Sequence, residues 1–253
     1  MRHDSETARS GHLAGGLMAA PVIETHALGK TFGLAPVLRD TAFRLLPGAA
    51  AIVIGGNGTG KSTLLKILSG LVAPSDGYAL VFGEDTRRFS PRYRRRIGAV
   101  SHQSFLYPSL TARENLEFYA DLYGIADASA AADSWLERVG LADFGKERVR
   151  TFSRGMEQRL AVARAMIHGP SLLLLDEPFA ALDTDGSARI RSLIKSALDE
   201  GCSVLATAHQ PFEIDDVAFD LYEIVRGQVA PLEEKEEVRR GGRLRSLLRP
   251  RSS

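Results

Sequence analysis

Residues 55–63 read Gly-Gly-Asn-Gly-Thr-Gly-Lys-Ser-Thr and follow directly on the apolar run Ala50–Ile54. Gly55, Gly56, Gly58 and Gly60 free the backbone to curl until successive N–H groups point inward, which makes a nest for an anion. A helix that opens at Lys61 aims its positive end into the same nest. The spacing from Gly55 through Gly60-Lys61-Ser62 is that of a phosphate loop, G-x-x-x-x-G-K-[ST]. A triphosphate needs many donors at close range. Residues Gly55, Gly56, Asn57, Gly58, Thr59, Gly60 and Thr63 supply loop and helix-end backbone for that purpose. Lys61 adds a mobile cation, and Ser62 offers a hydroxyl to the Mg2+ that travels with the phosphates. Strand, loop and helix in series predict an α/β fold with a P-loop core and a mainly parallel sheet.

The rest of the chain fits that class. Residues 22–28, 37–46 and 50–54 read as strands, and a helix is expected over 61–71. The turn Pro74-Ser75-Asp76-Gly77 leads into a strand at 78–82. Residues 109–150 carry helical patterns instead. Ser109 or Thr111 can cap a helix through Glu114, Leu116, Phe118 and Leu122, and a second helix at 130–139 ends at Gly140. This predicts a helical subdomain over about residues 105–155, inserted into the α/β core. Strand and helix then alternate: helix 156–168, strand 172–175, helix 187–198, strand Ser203–Ala208 and strand 221–225. Residues 1–20 are polar and rich in Gly and Ala and are expected to be disordered; Met18 is a second candidate start. Residues 21–230 form the folded part. The tail, 231–253, passes from glutamates to arginines and is expected to be a solvated, frayed end, the alternative being a basic patch that touches anionic lipid headgroups.

The segment Leu-Leu-Leu-Leu-Asp-Glu-Pro at 172–178 is an apolar strand that ends in two carboxylates. An unbroken apolar run is what a strand covered on both faces requires. Downstream of a phosphate loop, Asp176 sits where an acid orders Mg2+, directly or through water. Glu177 is the candidate to polarise a water that attacks the γ-phosphate.

Bulk properties exclude several classes. A formal net charge of +1 gives no global sign of nucleic-acid binding, and none is expected. One cysteine, Cys202, rules out an intramolecular disulfide. No stretch approaches the roughly 20 apolar residues that span a bilayer, so any membrane role is expected to run through a partner.

Five further segments resemble one family, the nucleotide-binding domains of ABC transporters, over roughly residues 22–228. Phe32 matches the aromatic that stacks on adenine. Gln103 matches the glutamine that senses Mg2+ and the γ-phosphate, on a loop that abuts the membrane partner. Phe-Ser-Arg-Gly-Met at 152–156 is similar to the family signature, commonly LSGGQ. Ser153 and Gly155 are kept, whereas Arg154 and Met156 depart from the commonest form. Asp183 matches the D-loop aspartate, and His209 the histidine that holds phosphate and water in line. The resemblance implies an N-terminal antiparallel β subdomain beside the P-loop core. It also implies ATP with Mg2+ as ligands, and ATP hydrolysis. The expected assembly is a homodimer in which Ser153 and Gly155 of one chain cap the nucleotide of the other. A separate transmembrane permease is expected as partner, with this chain peripheral at the cytoplasmic face of the cell membrane.

Cargo rests on subfamily resemblance alone. The segments at 101–124 and 207–211 look like the ATPase of the haem exporter of cytochrome c maturation, through His102 and Gln210-Pro211. The alternative is an exporter of drugs, lipids or polysaccharides. A third reading is a soluble ABC protein of translation or DNA repair, although such proteins carry a second domain or a long insertion.

Overall fold

A computed structural model describes residues 19–88 and 90–232. The expectations for residues 1–18 and for the tail from 233 onward lie outside the described residues. In chain order the elements are β1 (Ile23–Phe32), β2 (Ala35–Leu45), β3 (Ala50–Ile54), α1 (Lys61–Leu68), β4 (Asp76–Val81), β5 (Glu84–Asp85), α2 (Pro91–Arg94) and β6 (Ile97–Val100). Then follow α3 (Ala112–Tyr123), α4 (Ala128–Arg138), α5 (Arg154–Met166), β7 (Leu172–Asp176), α6 (Thr184–Asp199), β8 (Ser203–Ala208), β9 (Phe219–Val225) and β10 (Gln228–Pro231).

Two sheets form. An antiparallel sheet runs β2-β1-β4-β5, and a larger one runs β10-β9-β3-β8-β7-β6. In the larger sheet β3 pairs in parallel with β8 and β9, β7 in parallel with β6 and β8, and only β10 is antiparallel. The expected P-loop core and antiparallel β subdomain are both present.

The period of two explains why β7 has no polar position before its end. Leu173 and Leu175 face the core shared with α3, α4, α5 and α6. Leu172 and Leu174 face the core under α1 and the antiparallel sheet. All four leucines are at most 1% exposed. Each contributes about 1.5–3 kcal/mol relative to an exposed position. A polar residue anywhere in that run would be stranded on one face or the other.

Helix ends follow their capping residues. Thr111, not Ser109, caps α3, in a capping box with Glu114. Gly124, at φ 73°, ends the same helix. Asp127, Ser153 and Asp183 cap α4, α5 and α6. α1 stops at Leu68, short of the expected 71, because Gly70 takes the left-handed conformation at φ 64°. Three strands escape a pattern reading, the first of them β5 with two residues. β6 has four residues and follows a run of arginines, and β10 has four residues at the sheet edge.

Candidate functional site

The C-terminal ends of β3, β7 and β8 lie side by side, because β8 pairs with both of the others. Each end continues into one functional segment: the glycine loop after β3, Asp176-Glu177 at the end of β7, and His209 after β8. Placement at carboxyl ends of parallel strands is where open α/β sheets bind ligands.

Three of the four loop glycines are sterically required. Gly58 and Gly60 have φ of 74° and 111°. A Cβ on Gly55 would lie 2.6 Å from Ile224 Cγ2, and one on Gly60 would lie 2.9 Å from Leu38 Cδ2. Thr59 Oγ1 donates to the Gly56 carbonyl at 3.0 Å and tightens the loop. Lys61, at the first turn of α1, is 5% exposed. Its Nζ donates to the carbonyls of Gly55 and Gly56 at 2.7 and 3.0 Å and lies 3.6 Å from Glu177 Oε1. The ammonium therefore sits within the curl of the loop. Ser62 and Thr63 beside it are half-buried, and Asn57 is exposed at the loop tip.

The acids are set differently. Asp176 is 4% exposed, and its Oδ1 accepts from Thr207 Oγ1 at 2.6 Å. Its Oδ2 lies 3.7 Å from His102 Nε2. Glu177 has φ 52°, a conformation that costs a residue with a Cβ about 1–2 kcal/mol. Its backbone N–H donates to the Thr207 carbonyl at 3.1 Å, and His209 Nε2 lies 3.1 Å from Oε1. Strained backbone thus holds the Glu177 carboxylate between Lys61 and His209. Ligand atoms of His102, Asp176 and Glu177 all lie within 4.8 Å of one another. That oxygen-rich set suits a hard divalent ion, and Asp176 Oδ2 is not engaged by Thr207.

Gln103 lies on the loop that follows β6. It is exposed, and its backbone carbonyl accepts from Ser101 Oγ at 2.8 Å. The neighbouring His102 is the side chain beside Asp176. Beyond this loop the chain is pinned to α3 by Asn115, which is fully buried. Its amide accepts from the Tyr107 N–H at 2.7 Å and donates to the carbonyls of Tyr107 and Thr111 at 3.1 and 2.8 Å. Phe32, at the end of β1, is 48% exposed, so it is a surface ring rather than a core aromatic.

A second constellation lies at the start of α5. Ser153 Oγ accepts from the Met156 N–H at 3.2 Å, and Arg154 is exposed. A Cβ on Gly155 would lie 2.9 Å from the Ala181 carbonyl oxygen. Asp183 Oδ1 accepts from the Gly186 N–H at 2.7 Å. Ser153, Gly155, Ala181 and Asp183 border one open cavity of about 340 Å³. Ala181 stands at φ 61°, a second strained residue near the site. Sequence reasoning missed Thr207 and the placement of His102. Thr207 was findable, since it lies on β8 two residues before His209, which follows that strand.

The family model for ABC transporters matches residues 38–180, more than half of the chain. The chain belongs to the ABC transporter family. As an ABC cassette it binds and hydrolyses ATP. It is 31% identical over 219 residues to the linearmycin resistance ATP-binding protein LnrL of Bacillus subtilis, covering 86% of this chain and 70% of that protein. It is 33% identical over 208 residues to the lantibiotic transport ATP-binding protein SrtF of Streptococcus pyogenes, covering 82% and 89%. Among solved structures, a dimeric ATP-binding cassette in a post-hydrolysis state with ADP and Pi superposes with a TM-score of 0.75 at 25% identity. That match covers 84% of this chain and 100% of the other. Among the described residues of this cassette no helix is long and apolar enough to cross a membrane.

Proposed function

We propose that this ABC cassette works as a nucleotide-closed homodimer that drives a separate membrane permease in exporting an antibiotic-like or drug-like compound. The observation that carries the cargo reading is the naming of its relatives. Proteins named for linearmycin resistance and lantibiotic transport each align with more than four fifths of the chain. Haem export rests only on His102 and Gln210-Pro211, and the relatives favour the drug-type alternative over it.

In the proposed cycle the loop amides and Lys61 hold the triphosphate, and Phe32 stacks on adenine. Lys61 exchanges the Gly55 and Gly56 carbonyls for phosphate oxygens. Ser62 and Asp176, with Gln103 or His102 nearby, would hold Mg2+, which would supply neutralisation of phosphate charge. Glu177 orients the attacking water and accepts its proton, and His209 fixes the carboxylate that does so. Ser153 and Gly155 of the second copy cap the γ-phosphate from the N-terminus of its α5. Dimerisation is supported by the dimeric solved relative. The permease docks in the groove of about 240 Å³ formed by Leu71, Phe105, Tyr119, Tyr123 and Arg164. Leu71 and Phe105 are exposed there, while Arg164 is buried with its Nε unpartnered among the described residues.

The test is co-expression with a candidate polytopic permease in a drug-sensitive host. Resistance to linearmycin or to lantibiotics should rise, and should vanish with Glu177→Gln. Restored c-type cytochrome assembly without any gain in resistance would return the assignment to haem.

A further inference from the structure

The nucleotide site leaves one charged surface unused. Residues 87–96 read Arg-Arg-Phe-Ser-Pro-Arg-Tyr-Arg-Arg-Arg, six arginines in ten positions of a chain whose net charge is only +1. The nearest acids in sequence are Glu84 and Asp85. Asp85 is taken by Arg87, and Glu84 accepts from Ser90 Oγ at 3.1 Å. Arg96 lies over the Phe82 ring, 3.5 Å from its centroid. Arg88, Arg92 and Arg95 are exposed and have no ion pair among the described residues.

The part of this surface carried by α2 is anchored to the fold. Ser90 caps α2 by accepting from the Tyr93 N–H at 3.3 Å, and Pro91 presets its first turn. Tyr93 is 2% exposed, and its hydroxyl donates to the Leu68 carbonyl at 2.6 Å, at the end of α1. That buried anchor holds Arg92 and Arg95 outward. Fixing like charges side by side costs energy that only a field of anions returns. Single-stranded nucleic acid would call for exposed rings among the arginines, and of the described rings there Tyr93 is buried and Phe82 is covered by Arg96. The surface adjoins the apolar groove, since Arg94 lines the same cavity as Leu71, Phe105 and Tyr123. Arg94 and Arg95 are both close enough for their charge to act on the Tyr123 hydroxyl.

We propose that the arginine surface of residues 87–96 rests on anionic phospholipid headgroups of the bilayer, orienting the cassette beneath its permease. The orientation rests on the permease reading; the lipid contact does not. Each exposed arginine at an anionic surface is worth about fivefold in binding, so three together are worth about 100-fold.

The experiment is co-sedimentation of the purified full chain with vesicles of phosphatidylcholine alone or of equimolar phosphatidylcholine and phosphatidylglycerol. The proteins are wild type, the triple variant Arg88→Gln/Arg92→Gln/Arg95→Gln, and a tail variant with Arg239, Arg240, Arg243 and Arg245 changed to Gln. The proposal expects salt-sensitive binding to the anionic vesicles only, lowered about 100-fold in the triple variant with basal ATPase and melting temperature unchanged. The tail variant should still bind anionic vesicles in an Arg88/Arg92/Arg95-dependent way. Equal binding to neutral vesicles, or binding lost in the tail variant and intact in the triple variant, would overturn it. So would absence of vesicle binding combined with loss of permease co-purification in the triple variant, which assigns the surface to an acidic protein segment. Vesicle binding without any drug resistance would leave this proposal standing and sink the export reading.

Discussion

Gly155→Ala separates a structural role of the signature segment from a functional one. The added Cβ would lie 2.9 Å from the Ala181 carbonyl oxygen, against about 3.3–3.6 Å for an ordinary carbon–oxygen contact. The segment carrying Ala181 must therefore retreat by about half an ångström. Overpacking of this kind costs about 1–3 kcal/mol. Alanine at the second residue of α5 returns up to about 1 kcal/mol of helix propensity. The net loss is about 0–2 kcal/mol, or at most about 8 °C in melting temperature for a domain of this size. Activity should respond far more. A methyl at Gly155 blocks the backbone that is proposed to face the other copy's γ-phosphate, and loss of such a preorganised donor set costs about 100-fold or more in rate. Nucleotide affinity of the isolated chain should stay within a few-fold, because the phosphate loop is untouched. Steady-state ATPase, a fluorescent-nucleotide titration and a thermal melt on the same preparation read all three. ATPase near wild type, or a parallel loss of nucleotide affinity, would refute the reasoning.

Three other perturbations probe separate links. Lys61→Ala removes two charge-assisted contacts at the loop and should weaken ATP binding by at least about 100-fold in a binding titration. Thr207→Val keeps the shape of β8 but leaves buried Asp176 Oδ1 without its donor; urea unfolding should show a loss of about 1–3 kcal/mol. His168 is stacked on Tyr123 at 3.9 Å and donates through Nε2 to the Ile97 carbonyl, and burial lowers its pKa to about 4. Between pH 6.5 and 4 the unfolded chain takes up a proton that the folded chain refuses. Stability should therefore fall as pH drops through that window, by up to about 3 kcal/mol, and His168→Gln should flatten that part of the curve.

The parts of this site that sequence reveals are those where chemistry and backbone geometry demand the same residue. Gly60 must be glycine for its φ of 111° and for the approach of Leu38, so the loop is written in the sequence. The β7 leucines need two covered faces and announce a central strand. Ser153 and Asp183 obey the ordinary capping rule and also border the cavity at the start of α5, so either argument finds them. What was hidden depends on contacts between distant segments. β6 is too short for a pattern, and its Gly98 is explained only by distant segments, since a Cβ there would run into the Ala165 carbonyl, Leu173 and Pro170. Which of His102 and Gln103 turns toward Asp176 depends on how the loop leaves β6, and no spacing rule states it. On cargo the sequence segments lean toward haem and the relatives toward the drug-type alternative, because residues flanking a nucleotide loop say little about a compound that the permease is proposed to hold.

The central claim, that Glu177 drives hydrolysis in a site completed by a second copy, is tested most directly with Glu177→Gln. Light scattering with and without MgATP, beside a turnover assay, gives the answer on one sample. The account predicts retained ATP binding, a stable ATP-dependent dimer and turnover lowered by at least about 100-fold. Normal turnover, or a chain that stays monomeric with ATP bound, would contradict it.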